Sequence, residues 1–172
     1  MKTIKLLVVA FVAICVLSLQ SCKTDDDGGD AGSASNGTVS ASIDGSSYKS
    51  DAVGTSVRQI VANGNTTTVI TSNELSSSRN ITLTLNGVDS VGTYLIGGGA
   101  NISIVASYIE ANASNPADTQ IWSAPFNDTS TGEINIVTLT DSKIEGTFEF
   151  TGKNNQDDST VRVTSGSFNL DL

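Results

Sequence analysis

From Thr38 onward, apolar and polar residues alternate over short stretches, and each stretch stops at turn-forming residues. In Asn80-Ile81-Thr82-Leu83-Thr84-Leu85 every second side chain is apolar, and the run halts at Asn86-Gly87. A period of two belongs to a strand with one dry and one wet face. Residues 143–150 repeat it: Ile144, Phe148 and Phe150 share one face, and Lys143, Glu145, Thr147 and Glu149 share the other. Further strands are predicted at 38–43, ending in the hairpin signal Asp44-Gly45, and at 57–61 and 67–71, flanking Asn63-Gly64-Asn65. Residues 94–96 and 102–109 flank Gly97-Gly98-Gly99, and 133–137 lead through Thr140-Asp141 into 143–150. A last pair is predicted at 160–164 and 167–172. No helical period persists over about twelve residues; the best candidate is 107–113. About ten short strands joined by tight turns predict an all-β fold, an antiparallel meander closed as a β-sandwich or flattened barrel. The longest irregular stretch expected is 110–120, with a second polar loop at 154–159.

The amino terminus has a different pattern. Lys2 and Lys5 precede an apolar run from Leu6 to Leu19, broken only by Ser18. These are the proportions of a secretory leader, too short for a comfortable membrane span. The run ends in Leu19-Gln20-Ser21-Cys22, which resembles the lipobox of bacterial lipoproteins. That resemblance implies removal of residues 1–21, a thioether from Cys22 to diacylglycerol, and acylation (palmitate or a similar chain) of the new amino terminus. Two or three chains anchor a protein essentially permanently, whereas one holds it only marginally.

Residues 22–37 then read as a lipidated, flexible, acidic tether, with no apolar residue larger than alanine after Cys22. A Gly/Ser-rich coil of this length spans about 20 Å on average. Lys23-Thr24-Asp25-Asp26-Asp27 resembles the export signal of Bacteroidota surface lipoproteins, which implies an outer-membrane address with the domain facing outward. The three adjacent aspartates lack the alternating spacing and closing glutamate of a calcium loop, so no metal is expected there. Residues 38–172 remain as a single β domain.

Charge and composition narrow the chemistry. Nine Lys and Arg stand against eighteen Asp and Glu, a net −9, and loss of the leader would remove Lys2 and Lys5 as well. An acidic domain repels nucleic acid and anionic lipid. There is no histidine, and Cys15 and Cys22 both precede the domain, which therefore has no imidazole base, thiol nucleophile or disulfide of its own. No cofactor motif is present.

Several short motifs invite catalytic readings. Ser46-Ser47-Tyr48-Lys49 has the Ser-x-x-Lys spacing of penicillin-binding enzymes, but that chemistry needs a helical turn, and this stretch reads as extended. Glu145 and Glu149 suggest a glycosidase pair, yet four strand residues separate them by about 13 Å. Gly97-Gly98-Gly99 lacks a phosphate-loop lysine. No catalytic residue is assigned. Trp122 is a weak ligand-binding candidate. It is expected mainly in the core, with Tyr48, Tyr94, Tyr108, Phe126, Phe148, Phe150 and Phe168 as neighbours. Asp89-Ser90-Val91 and Asp158-Ser159-Thr160 resemble the O-glycosylation sequon of Bacteroidota envelope proteins, which makes Ser90 and Ser159 candidate glycosylation sites.

The domain as a whole resembles a family of small uncharacterised Bacteroidota surface lipoproteins. Three stretches carry the likeness. They are the hairpin Ala41-Ser42-Ile43-Asp44-Gly45-Ser46-Ser47-Tyr48-Lys49-Ser50, the middle Gly92-Thr93-Tyr94-Leu95-Ile96-Gly97-Gly98-Gly99, and a closing stretch. The closing stretch runs from Gly132-Glu133-Ile134-Asn135-Ile136 through residues 144–150 to Val161-Arg162-Val163-Thr164-Ser165-Gly166-Ser167-Phe168. The likeness implies fold and location and supplies no catalytic residue. The expected function is a non-enzymatic, membrane-anchored binding or interaction module for a glycan or envelope protein. The alternatives are a structural or shielding lipoprotein without ligand and a surface hydrolase.

Overall fold

The computed structural model describes residues 33–98 and 103–172. The leader, Cys22, Asp25, Asp26 and Asp27 lie outside the described residues.

Among the described residues there are eleven strands and no α-helix. They are β1 (Thr38–Ile43), β2 (Ser46–Lys49), β3 (Ser56–Ala62), β4 (Asn65–Glu74), β5 (Arg79–Asn86), β6 (Gly92–Gly97), β7 (Ile104–Glu110), β8 (Gln120–Ala124), β9 (Ser130–Thr140), β10 (Lys143–Lys153) and β11 (Thr160–Asp171). The expected hairpin turns form as read. Asp44-Gly45 and Asn63-Gly64 all have positive φ, at 46°, 85°, 52° and 80°. That is the mirror-image turn whose twist suits two-residue hairpins.

All pairings are antiparallel, and they make one curled sheet in the order β2-β1-β11-β10-β8-β7-β5-β4-β3. The long strand β10 is the corner. Its Lys143–Phe150 portion pairs with β9, which continues to β6, while Lys153 pairs with Ser123 of β8. The all-β sandwich or flattened barrel is therefore observed, with connectivity richer than a plain meander: β6 leaves the β5-β7 pair to join β9, and β11 inserts between β1 and β10.

Inward side chains from both halves form a single core, with Val39, Leu83, Ile96, Ile134 and Val163 fully buried. Phe148 and Phe150 are inside and Glu149 is outside, as the alternation required. Tyr48, Tyr108 and Phe168 are also buried, and Tyr94 is half-buried. Phe126 is a correction: it is 36% exposed, in the β8–β9 connection and outside the core.

Three other details differ from the expectation. The predicted pair 160–164 and 167–172 is one strand, β11. Ser165, at φ 50°, is the extra residue of a bulge, since Phe148 and Phe150 face Gly166 and Val163. The bulge changes which positions face inward, from Val161 and Val163 to Gly166, Phe168 and Leu170, without breaking the ladder. Strand β8 was not expected; its alternation is short, and Ile121 stays 47% exposed. The weak helix candidate, 107–113, falls mostly within β7.

The end of the expected tether is not free chain. Ala34 is buried and its N–H donates to Ser167 Oγ at 3.0 Å. Gly37 N–H donates to the Asn169 carbonyl at 2.8 Å. Packing against β11 therefore begins at Ala34, ahead of the boundary expected at 38.

Candidate ligand-binding face

Strand register brings together residues that sequence reading left apart. Lys49 lies opposite Ser40, Ser40 opposite Ser167, Ser167 opposite Thr147, Thr147 opposite Asn135, and Asn135 opposite Thr93. Directly opposed residues share a face and sit about 5 Å apart. The result is a row of hydroxyl and amide groups across β1, β11, β10, β9 and β6, with the Lys49 ammonium at its β2 end. Ser40 and Ser167 hydroxyls are 2.9 Å apart, and Thr93 Oγ1 donates to Asn135 Oδ1 at 3.3 Å.

Two bulges bracket this row. One is at Ser165 in β11. The other is at Val137 in β9, where Gly146 faces Ile136 and Glu145 faces Thr138. Bulges bend a strand and sharpen its twist. Here the outer face of β9-β10-β11 holds a trough of about 650 Å³, bounded by Glu133, Asn135, Val137, Glu145, Glu149 and Asn169.

The trough floor is rigid for a steric reason. Phe148 lies opposite Gly166 and Phe168 opposite Gly146, and the two rings stack with centroids 6.3 Å apart. A Cβ on Gly166 would come 2.6 Å from the Phe148 ring, and one on Gly146 would come 2.7 Å from Phe168. Each ring therefore covers the glycine across from it, a known way of stabilising glycine in sheets.

The chemistry of the trough is rich in acceptors. Glu145 pairs with Lys143 at 2.6 Å, and hydrogen bonds from Lys143 and Thr138 hold its carboxyl below the usual carboxylate range. Glu133 and Glu149 oppose each other directly, both exposed, and among the described residues neither forms an ion pair. Asn169 Oδ1 is buried at the wall with no hydrogen-bond donor among the described residues. Like charges face to face cost stability, so this face is poorly optimised for folding alone.

A second polar cluster sits at one end of the core. Arg79 makes an ion pair with Glu74 at 2.5 Å, donates to the Ser47 carbonyl at 2.7 Å, and stands 5.6 Å above the Tyr48 ring. Burial works against the Glu74 carboxylate, but hydrogen bonds from Ser77 and Arg79 outweigh it and keep its pKa below the usual range. Tyr108 donates to Glu110 at 2.6 Å, and burial together with that carboxylate pushes its phenol up. Burial raises Tyr48 to about 12. These partners satisfy one another, and the cluster reads as structural.

The residues singled out from sequence are dispersed. Trp122 packs against the core, stacked on Tyr108 at 5.6 Å, and its indole N–H donates to Ser159 Oγ at 2.9 Å. Ser159 lies between β10 and β11 with its hydroxyl engaged in that way. Ser90 is exposed between β5 and β6, 3.1 Å from the Tyr94 hydroxyl. Ser46 and Lys49 are in strand β2, not a helix. Glu145 and Glu149 do share the outer face, four residues apart on β10. The residues missed were Glu133, Asn135, Ser167 and Asn169. The alternation in 133–137 placed Glu133 and Asn135 on a wet face, but only register shows that this face meets Thr147 and Glu149. Among the described residues, no group of three His, Cys, Asp or Glu is placed to hold a metal ion.

A family described as Domain of unknown function (DUF6252) matches residues 35–170, nearly the whole described domain. No curated protein and no solved structure matches the chain.

Proposed function

We propose that this chain, which belongs to the DUF6252 family, is a lipid-anchored surface module that binds an envelope partner, glycan or protein, through the outer face of β9-β10-β11. One observation carries the reading: Asn135, Thr147, Ser167 and Asn169 put hydroxyl and amide groups along a bent, aromatic-backed trough with unneutralised carboxylates at its rim. Hydroxyls and amides in a preformed concavity suit ligands that present many hydrogen-bond donors.

The anchor supports the same reading. Leu19-Gln20-Ser21-Cys22 suits lipid attachment at Cys22 after loss of residues 1–21, and the acidic run suits export to the outer leaflet of a Bacteroidota outer membrane. Ser33 belongs to the trough wall. Only ten residues lie between it and Cys22, so the fully extended tether holds the trough within about 40 Å of the lipid. The partner is then a component of the cell's own envelope or something bound to it.

The opposed Glu133 and Glu149 are the one feature that favours a surface hydrolase instead. Both are exposed on an open sheet face, and the chain has no histidine to serve them. Binding is therefore preferred over turnover.

A glycan array and a panel of purified envelope proteins, probed with the full chain, test the proposal. Specific binding that is lost in Asn135→Ala and Glu149→Gln supports it. Binding indifferent to both substitutions, or no binding at all, removes it. Sugar release that stops in Glu133→Gln would establish the hydrolase.

A further inference from the structure

The sheet ends on one side in β3, which pairs only with β4. An unpaired edge offers its free N–H and C=O groups to any other strand, and proteins normally guard such edges with bulges, prolines, charges or brevity. The opposite end is guarded: β2 has four residues and carries Lys49. Strand β3 is not. It has seven residues, no proline and a single charge, Arg58, and its register with β4 is unbroken from Ser56–Thr71 to Ala62–Asn65. Residues 58–62 are all exposed, including Ile60 at 50% and Val61 at 72%.

Charge singles out the same strand. The chain is −9 overall, yet no acidic residue occurs between Asp51 and Glu74. Two acidic molecules therefore meet here without placing acid against acid. The strand is also complementary to itself. In an antiparallel pair with its two-fold axis at Gln59, Gln59 meets Gln59, Val57 meets Val61, and Arg58 meets Ile60 of the second copy. The more exposed valine is then covered by the less exposed one. The Arg58 stem lies along Ile60 while its guanidinium stays in water, and the two Arg58 residues are not directly opposed.

We infer that β3 is a self-association edge, through which two copies of this chain join their sheets by antiparallel β3–β3 pairing. The contact is isologous and closes as a dimer. It leaves the trough on β9-β10-β11 to each copy and does not depend on what the trough binds.

The test uses register-specific cross-linking of the full chain in intact cells. Opposed residues in an antiparallel pair have Cα separations of about 4.5–5.5 Å, within the range a disulfide spans. A mild oxidant that accepts two electrons and two protons from the thiol pair should convert Gln59→Cys to a covalent dimer. Asp118→Cys, on an exposed loop, controls for random collision. Cys15 and Cys22 are the same in every variant and contribute equally. The expected result is a dimer band for Gln59→Cys well above that of Asp118→Cys, lost when Val61→Lys is added. An unchanged circular-dichroism spectrum and melting temperature for Val61→Lys show that the loss is not unfolding. A Gln59→Cys band no stronger than the control, or one that survives Val61→Lys, overturns the inference.

Discussion

The Tyr48 hydroxyl lies 2.9 Å from both the carbonyl oxygen and Oγ of Ser72, joining β2 at one end of the sheet to β4 near the other. No ladder bonds link these two strands, so this side-chain contact helps to hold the curled sheet shut. Ser72 has further partners: its carbonyl also accepts from Asn80 at 2.8 Å, and its hydroxyl reaches the Ile81 carbonyl at 3.1 Å.

Tyr48→Phe should therefore cost only about 0.5–1.5 kcal/mol, because Ser72 stays partnered when the phenol is lost. Tyr48→Ala, which empties the ring site as well, should cost about 3–5 kcal/mol. Denaturant midpoints separate the two. Burial raises the folded-state pKa of Tyr48 to about 12. A raised pKa means that the stabilisation is complete below the unfolded value of about 10 and is lost as pH rises toward about 12. Tyr48→Phe should flatten the stability curve in that alkaline window.

Glu74 works in the opposite direction. Its folded-state pKa is depressed, so its contribution is present above the unfolded value and disappears as pH falls through the folded one. Urea unfolding from neutrality down through the carboxylate range should show the parent weakening in acid. Glu74→Gln should be less stable at neutral pH and should weaken less on acidification. Parallel pH curves for the two proteins would mean that the Ser77 and Arg79 contacts of the Glu74 carboxylate contribute nothing.

Phe148 and Gly166 form a steric unit. Phe148→Ala should destabilise by about 3–5 kcal/mol. Gly166→Ala should cost about 1–3 kcal/mol, since the new methyl meets the Phe148 ring. Glu149→Ala, on the outer face, should change stability by less than about 0.5 kcal/mol. Thermal or urea denaturation of the three variants checks this order, and a severe Glu149 defect would contradict the face assignment on β10.

Cys22→Ser should abolish incorporation of labelled fatty acid, because the thioether forms only at sulfur. Replacing Asp25, Asp26 and Asp27 with alanine should retain the lipid but protect the domain from protease added to intact cells. Labelling of the serine variant, or equal proteolysis of the alanine variant and its parent, would remove the anchor or the export signal respectively.

Local features of this chain were legible without coordinates. Alternation depends only on residues i and i+2, so Ile144, Phe148 and Phe150 could be assigned to the dry face, and Asp44-Gly45 and Asn63-Gly64 to hairpin turns, from adjacent letters alone. The all-β class followed from those stretches. Register between distant strands could not be read in this way. Ser40 and Ser167 hydroxyls touch across 127 positions, and Thr147 meets Asn135 only because Val137 is absorbed as a bulge. A bulge and a turn look alike in sequence, since both put one residue out of step; what separates them is whether the flanking strands keep a common partner. For Thr160–Asp171 that partner is β10, which stays paired on both sides of Ser165. The row of hydroxyl and amide groups, the opposed Glu133 and Glu149, and the bare edge of β3 were thus decided by tertiary structure. Each is a relation between strands whose side-by-side placement is set by burial of the whole core, and no local stretch encodes it.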